Sequence, residues 1–166
     1  MKKTIHDVAR EAGVSIKTVS RVLNEEPNVA QSTRERVKLA AKSLNYSPNL
    51  AARSLAGSKT YLIALLYSGY SNDVLSIQNG ITRACRERGY HLIVEPVGSD
   101  NEVETVLQRA PVDGVILVAP LCDDEHITAI LGERKTPYKA LPLPLTNAPE
   151  DAAYAATQAL IAPKIA

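Results

Sequence analysis

The feature that most constrains this chain is a pair of short amphipathic helices predicted within residues 4–24. Apolar residues recur there at helical spacing, the pattern breaks at Gly13, and it resumes after Ser15 with Val19 and Val22 facing a core. A glycine without a Cβ atom can adopt the left-handed conformation that ends one helix and turns the chain into the next. The sequence therefore predicts two helices joined by a tight turn.

The ends and the outer face of these two helices carry further signals. Thr4 is placed to cap the first helix, Asp7 lies in its first turn, and Ser15 is placed to cap the second helix. Once the apolar positions of the second helix are assigned to the core, its outward face consists of Ile16, Lys17, Thr18, Ser20 and Arg21. This composition is typical of a helix that enters a DNA major groove and forms hydrogen bonds there.

A third helix is predicted over residues 32–44. Val37, Ala40 and Leu44 have the spacing that buries one stripe, and Ser32 with Glu35 would form a capping box at its start. Three helices of this kind make a domain of about fifty residues, which is near the lower limit for a core without metals or disulfides.

The charge distribution separates two parts of the chain. The whole chain has a net charge of only +1, but residues 1–60 contain eleven Lys and Arg against five Asp and Glu, or +6. Residues 61–166 contain eight against thirteen, or −5. A basic amino-terminal module attracts phosphate, while an acidic second part remains soluble and away from DNA.

The second part shows alternating strand and helix patterns. Strands are predicted over residues 61–67, 91–95 and 114–119, and helices over residues 74–89, 102–109 and 125–131. This alternation indicates a parallel sheet with helices on both faces. Farther on, prolines 142, 144 and 149 exclude a central parallel strand over residues 141–149, and an alanine-rich helix is predicted over residues 151–162.

Several segments together carry a resemblance to a known family. They are residues 4–21 (TIHDVAREAGVSIKTVSR), 22–24 (VLN), 33–37 (TRERV), 44–49 (LNYSPN) and 52–57 (ARSLAG). The chain resembles the DNA-binding headpiece and hinge of the LacI/GalR family of bacterial transcriptional repressors, and the match covers residues 1–58 almost without a gap. The implied function is a cytoplasmic repressor that binds palindromic double-stranded DNA as a homodimer.

The resemblance implies a role for individual residues of the headpiece. Base contacts are expected from Ile16, Lys17 and Arg21. Phosphate contacts are expected from Thr4, Ser15, Thr18, Ser20, Asn24, Thr33 and Tyr46. The alternative that Lys17 and Arg21 form an ordinary solvated face stays open. Where the family commonly has serine this chain has Ala30, so a cap or phosphate contact is expected to be missing there, unless Ser32 replaces it.

The hinge is the short segment of residues 50–56. It is too short to be helical alone in water, because helix nucleation is costly below about a dozen residues. The resemblance implies that two hinges pair in the minor groove, with Leu55 wedged between base pairs and Ala52 and Arg53 lining the groove. The alternative is that Leu55 packs as a linker residue on a neighbouring domain.

Residues 59–166 resemble the first subdomain of the family's effector core, a periplasmic-binding-protein-like fold. Ligands of such folds lie at the carboxyl ends of the strands, which here means residues 68–73 and 120–124. Tyr70 and Asp73 are the candidate effector-binding residues, without a chemical class of effector. At 166 residues a second subdomain is not expected, so our hypothesis is a truncated or internally deleted repressor whose switching by an effector is in doubt.

The predicted fold class is therefore a three-helix helix-turn-helix headpiece with a hinge helix, followed by a partial doubly wound parallel α/β subdomain. We expect no cofactor, metal site or catalytic residue. Cys85 and Cys122 are expected to be reduced thiols, and no run of about twenty apolar residues predicts a membrane span. Two other function classes stay open: a doubly wound enzyme or small-molecule binding protein, and a remnant that forms inactive heterodimers with a full-length repressor.

Overall fold

A computed structural model of the chain describes residues 3–24, 26–46, 54, 59–69, 73–145 and 148–162. The backbone divides into two compact units, residues 1–56 and residues 57–166. None of the helices in these ranges is long and apolar enough to cross a membrane.

Residues 3–46 of the first unit, as far as the structure describes them, form three helices, α1 (Ile5–Ala12), α2 (Ile16–Leu23) and α3 (Gln31–Ser43). All three contribute to one small core of valine and alanine side chains. Its buried members are Val8, Ala9, Ala12, Val19, Val22, Val37 and Ala40. The helical spacing read from the sequence thus corresponds to the buried stripe of each helix.

The turn between α1 and α2 has the predicted chemistry. Gly13 adopts a left-handed conformation with φ 61° and ψ 41°, and the N–H of Val14 donates to the carbonyl of Ala9 at 3.0 Å. Ser15 Oγ accepts a hydrogen bond from the N–H of Thr18 at 3.1 Å and so caps α2. The predicted turn and the predicted cap at Ser15 are confirmed.

The start of α3 differs from the prediction. The helix begins at Gln31, its N-cap residue is Ala30, and no side chain caps it. Because Ser32 already lies inside the first turn, it cannot act as the N-cap, and Glu35 accepts instead from the side chain of Gln31 at 3.0 Å. The predicted capping box of Ser32 and Glu35 is therefore wrong.

The second unit is built on one parallel sheet. Its strands are β1 (Leu62–Tyr67), β2 (His91–Pro96), β3 (Gly114–Val118) and β4 (Tyr138–Leu141), and their order in the sheet is β2-β1-β3-β4. Its helices are α4 (Asp73–Arg88), α5 (Asp100–Arg109), α6 (Glu125–Glu133) and α7 (Pro149–Ile161), with a short 3₁₀ turn at Leu121–Asp123.

Helices cover both faces of this sheet, as predicted. Ala64 and Leu66 of β1 pack with α5 and α6 in one apolar cluster. On the opposite face a Cβ atom on Gly114 of β3 would lie 2.8 Å from a terminal side-chain carbon of Leu160 of α7, so the leucine would have to shift. A Cβ atom on Gly80 of α4 would collide with the backbone of Glu150, so α4 and α7 pack backbone to backbone there. The second unit is a doubly wound α/β layer.

The fourth strand was not predicted. It is only four residues long, three of them are exposed, and it lies at the edge of the sheet, so its sequence lacks an apolar run. Pro142 follows directly after Leu141, where β4 ends, and Pro144 lies two residues farther on, which agrees with the exclusion of these prolines from a central strand. α7 begins at Pro149, where proline at the first turn of a helix loses no hydrogen bond.

One carboxylate holds the chain at the amino end of β1. Asp113 accepts hydrogen bonds from the N–H of Thr60 at 2.7 Å, from its hydroxyl at 2.9 Å and from the N–H of Tyr61 at 3.0 Å. Tyr61 has a positive φ of 59°, and its ring lies 5.4 Å from that of Tyr90. We call this arrangement the Asp113 clamp.

Candidate nucleic-acid interface

The three predicted base-contacting residues share the exposed face of α2. Val19 and Val22 are buried in the core, which turns Ile16, Lys17 and Arg21 outwards. Ile16 is 41% exposed although it is a large apolar residue. An exposed isoleucine on this face suits contact with an apolar group such as a thymine methyl.

The predicted phosphate contacts lie mostly at helix beginnings. Ser15 precedes α2, Thr18 lies in its first turn, and Thr33 lies in the first turn of α3. A helix beginning presents N–H groups that lack intrahelical partners and favour an anion such as phosphate. Ser20 and Asn24 lie at the other end of α2, where Asn24 Nδ2 donates to Ser20 Oγ at 3.4 Å.

Thr4 has a competing partner. Its backbone N–H and its hydroxyl both donate to Oδ2 of Asp7, at 3.0 Å and 2.9 Å. The backbone N–H of Thr4 is the largest cause of a lowered pKa at Asp7, followed by the hydroxyl, and Arg10 and Lys3 add to it. Asp7 therefore stays ionised, and a phosphate at Thr4 would have to displace this carboxylate.

Tyr46 is half-buried and packs against the core of the first unit. Burial raises the pKa of its phenol, which therefore remains protonated and able to donate a hydrogen bond.

A carboxylate beside the exposed face was missed by the sequence analysis. Nε of Arg21 lies 3.7 Å from Oε2 of Glu26, and both side chains are about half exposed. The path of the chain after α2 produces this contact, so spacing along one helix could not reveal it. The available signal was the pair of adjacent glutamates at positions 25 and 26 in an otherwise basic segment.

The remaining candidates cannot all be placed. The hinge residues Ala52, Arg53 and Leu55 and the effector candidate Tyr70 lie outside the described residues. Asp73 is half-buried at the beginning of α4, on the side of the sheet where β1 ends. A cavity of about 430 Å³ lies elsewhere, between α4 and the edge strand β2, and its lining includes Gln78, Arg86 and His91.

The two cysteines have no disulfide. Burial raises the pKa of the Cys85 thiol to about 11, and burial followed by the charge of Asp123 raises that of Cys122. Both therefore remain neutral thiols near pH 7. Within the described ranges no group of three His, Cys, Asp or Glu side chains is arranged to hold a metal ion.

Comparisons with known proteins agree on one family. Residues 4–49 match the profile of bacterial regulatory proteins of the lacI family. The chain is 36% identical over 154 residues to the HTH-type transcriptional regulator MalR of Staphylococcus xylosus, a match that covers 87% of this chain and 45% of that protein. It is 39% identical over 129 residues to the ribose operon repressor of Escherichia coli strain K12, covering 74% and 38%.

Solved structures give the same result. A crystal structure of the lac repressor dimer bound to operator and the anti-inducer ONPF matches with a TM-score of 0.54 and 32% identity, covering 86% of this chain and 44% of that one. A lacI-family transcriptional regulator from Silicibacter pomeroyi also matches with a TM-score of 0.54, at 31% identity, covering 83% and 43%. The chain spans less than half the length of these relatives.

Proposed function

Because this chain belongs to the lacI family of bacterial regulatory proteins, we propose that it is a sequence-specific DNA-binding repressor of transcription. The observation that carries the proposal is the outer face of α2. It presents Ile16, Lys17 and Arg21 to solvent on a helix whose other side is locked into a core, within a strongly basic unit. A rigid helix with exposed donors is what major-groove reading requires.

The two parts of the chain have separate roles in this proposal. Residues 1–58 form the DNA-binding domain with its hinge, and residues 59–166 belong to an effector domain of the periplasmic-binding-protein type. The net charge of +6 in residues 1–60 supports the first assignment. The second assignment is supported by the doubly wound sheet, which offers the carboxyl ends of four parallel strands to a ligand.

Each candidate contact has a distinct task. Lys17 and Arg21 donate to guanine, whose major-groove edge offers two acceptors, and Ile16 contacts a thymine methyl. Phosphates are bound by Ser15, Thr18, Ser20, Asn24, Thr33 and Tyr46, and they set the register on the duplex without reading sequence. Thr4 joins them only when its donors are released from Asp7.

We propose that the protein acts as a homodimer on a palindromic operator. The matched lac repressor structure is a dimer bound to operator, which supports this assembly. In such a dimer Ala52 and Arg53 line the minor groove and Leu55 wedges between base pairs, where unstacking permits a bend that adds contacts.

We propose that a small-molecule effector binds the second unit. The same lac repressor structure contains a small molecule, an anti-inducer, which supports the proposal that a ligand regulates this protein. Tyr70 and Asp73 are its candidate residues. The protein acts on DNA in the cytoplasm and requires no catalytic group for this role.

The test is fluorescence anisotropy of the purified chain on palindromic duplexes recovered by selection from a random pool, at two salt concentrations. We expect sequence-dependent binding with two chains per duplex and a steep fall in affinity at higher salt. Binding that is weak and equal on all sequences would contradict the proposed function. One chain per duplex with sequence preference would contradict the homodimer alone.

A further inference from the structure

We propose that Glu26 is a positioning residue, which holds the guanidinium of Arg21 in the orientation that reads a guanine. The inference rests on the proposed DNA-binding function. It concerns the carboxylate of Glu26, which follows α2 in the chain and is not among the residues predicted to contact bases or phosphates.

The backbone of Glu26 is fixed from both sides. Its N–H donates to the carbonyl of Arg21 at 2.9 Å, so it satisfies an open carbonyl at the end of α2. Its own carbonyl accepts from Nη2 of Arg34, whose Nε donates to the carbonyl of Val29 at 3.3 Å. The loop after α2 is thereby tied to α3, and the Glu26 side chain starts from a defined place beside Arg21.

Glu26 contacts the Nε atom of Arg21 and leaves the two terminal nitrogens of the guanidinium available. Oε2 of Glu26 approaches Nε of Arg21, and the two terminal nitrogens have no ion-pair or hydrogen-bond partner among the residues that the structure describes. A bidentate contact with O6 and N7 of guanine can be made by these two terminal nitrogens. One Arg21 side chain can therefore bind Glu26 and guanine at once, without exchanging one for the other.

This geometry makes Glu26 a determinant of specificity. On a guanine, Arg21 keeps its ion pair and gains two hydrogen bonds. On a duplex without guanine at that place, the oriented guanidinium gains neither of these two hydrogen bonds, while the carboxylate is still repelled by the DNA backbone. The carboxylate thus lowers binding to wrong sequences more than binding to the right one.

Lys17 provides an internal contrast. It lies on the same exposed face, but within the described part of the chain no carboxylate pairs with it. A flexible ammonium without such a partner transfers readily from a base to a phosphate. We expect base preference to be sharper at the position read by Arg21 than at the position read by Lys17.

The test compares Glu26→Gln with Glu11→Gln. Glu11 is exposed on α1, and its replacement removes the same charge from the same unit at a place without a described contact. Affinities are measured on a selected duplex and on variants of it with each base pair replaced in turn. The pair read by Arg21 is the one whose preference is lost in Arg21→Ala.

For Glu26→Gln we expect the preference for guanine at that pair to fall about two- to fivefold, the size expected for an exposed ion pair. Preference at other pairs should not change. Glu11→Gln should raise affinity uniformly, and Glu26→Gln should have only a uniform effect in the Arg21→Ala background. By NMR, the Nε–Hε resonance of Arg21 should shift in Glu26→Gln and remain in place in Glu11→Gln.

The other outcomes are separable. If the unmodified chain shows no base preference at any position, both the proposed function and this inference are overturned. If it shows a preference that Arg21→Ala removes but Glu26→Gln leaves equal to Glu11→Gln, only the role of Glu26 is overturned. A sharper preference in Glu26→Gln would also overturn that role, since it would make Glu26 a competitor of guanine.

Discussion

The two units of this chain bury different kinds of side chain. The core of the helical unit consists of valine and alanine, while the sheet of the second unit buries isoleucine and leucine such as Ile63, Leu66 and Leu117. Large side chains remove more apolar surface from water, so the second unit has the larger hydrophobic contribution to stability. The helical unit, which carries the proposed DNA-contacting side chains, therefore has the smaller hydrophobic core of the two.

The largest effect is expected on the stability of the second unit, which contains the sheet. Leu66 is fully buried between β1 and the α5/α6 layer, so Leu66→Ala should cost the second unit about 2–5 kcal/mol of unfolding free energy. Residue-resolved hydrogen exchange should show faster exchange in residues 59–162 and little change in α1 to α3. Leu75→Ala is the control, because Leu75 is 66% exposed. Equal acceleration in both units would show that they do not unfold separately.

A smaller effect is expected on the reading face. Arg21→Ala should cost about 1–3 kcal/mol of binding on the selected duplex and relax preference at one base pair of each half-site. Anisotropy titrations measure it, and circular dichroism checks that the fold is unchanged. Uniform weakening on all sequences would make Arg21 a phosphate contact.

The sequence predicts both Ser15 and Ser32 as helix caps, but in the structure only Ser15 caps a helix. Ser15 caps α2, whereas Ser32 lies inside α3, so Ser15→Ala should lower stability of the helical unit by about 1 kcal/mol. Ser32→Ala is the matched control and should change it by a few tenths of that. Urea unfolding followed by circular dichroism distinguishes them. A larger loss of stability in Ser32→Ala than in Ser15→Ala would support a capping box at Ser32 and contradict this assignment.

The smallest effect is expected on the stability of the helical unit at acidic pH. The pKa of Asp7 is lowered by the donors of Thr4 in the folded chain, so this carboxylate stabilises the folded state above its unfolded pKa. The contribution is lost as the pH falls from near 4 through the lower folded pKa. Asp7→Asn should therefore flatten the pH dependence of the helical unit in that window, measured by thermal unfolding between pH 2 and 5. If the pH dependence of thermal unfolding is the same in Asp7→Asn, Asp7 does not contribute to the acid sensitivity of the helical unit.

Local patterns explain what could be predicted. The turn at Gly13, the cap at Ser15 and the buried stripes of α1 and α2 depend on neighbours within one or two helical turns, and the sequence contains those neighbours. Glu26 and Arg21 meet because of a loop path that Arg34 fixes from another helix. The edge strand β4 is hydrogen-bonded to β3 but has little apolar surface of its own, so periodicity could not indicate it.

The Asp113 clamp has a mechanical consequence. Force applied along the chain from residues 55–58 reaches the second unit at Thr60 and Tyr61, before it reaches the first hydrogen bond of β1. The carboxylate grips two consecutive amides and a hydroxyl, so these bonds share the load and must break together, whereas a strand pulled from its end separates one bond at a time. Because Asp113 directly precedes Gly114, the clamp passes part of a load on the linker to the beginning of β3, so that β1 does not bear it alone.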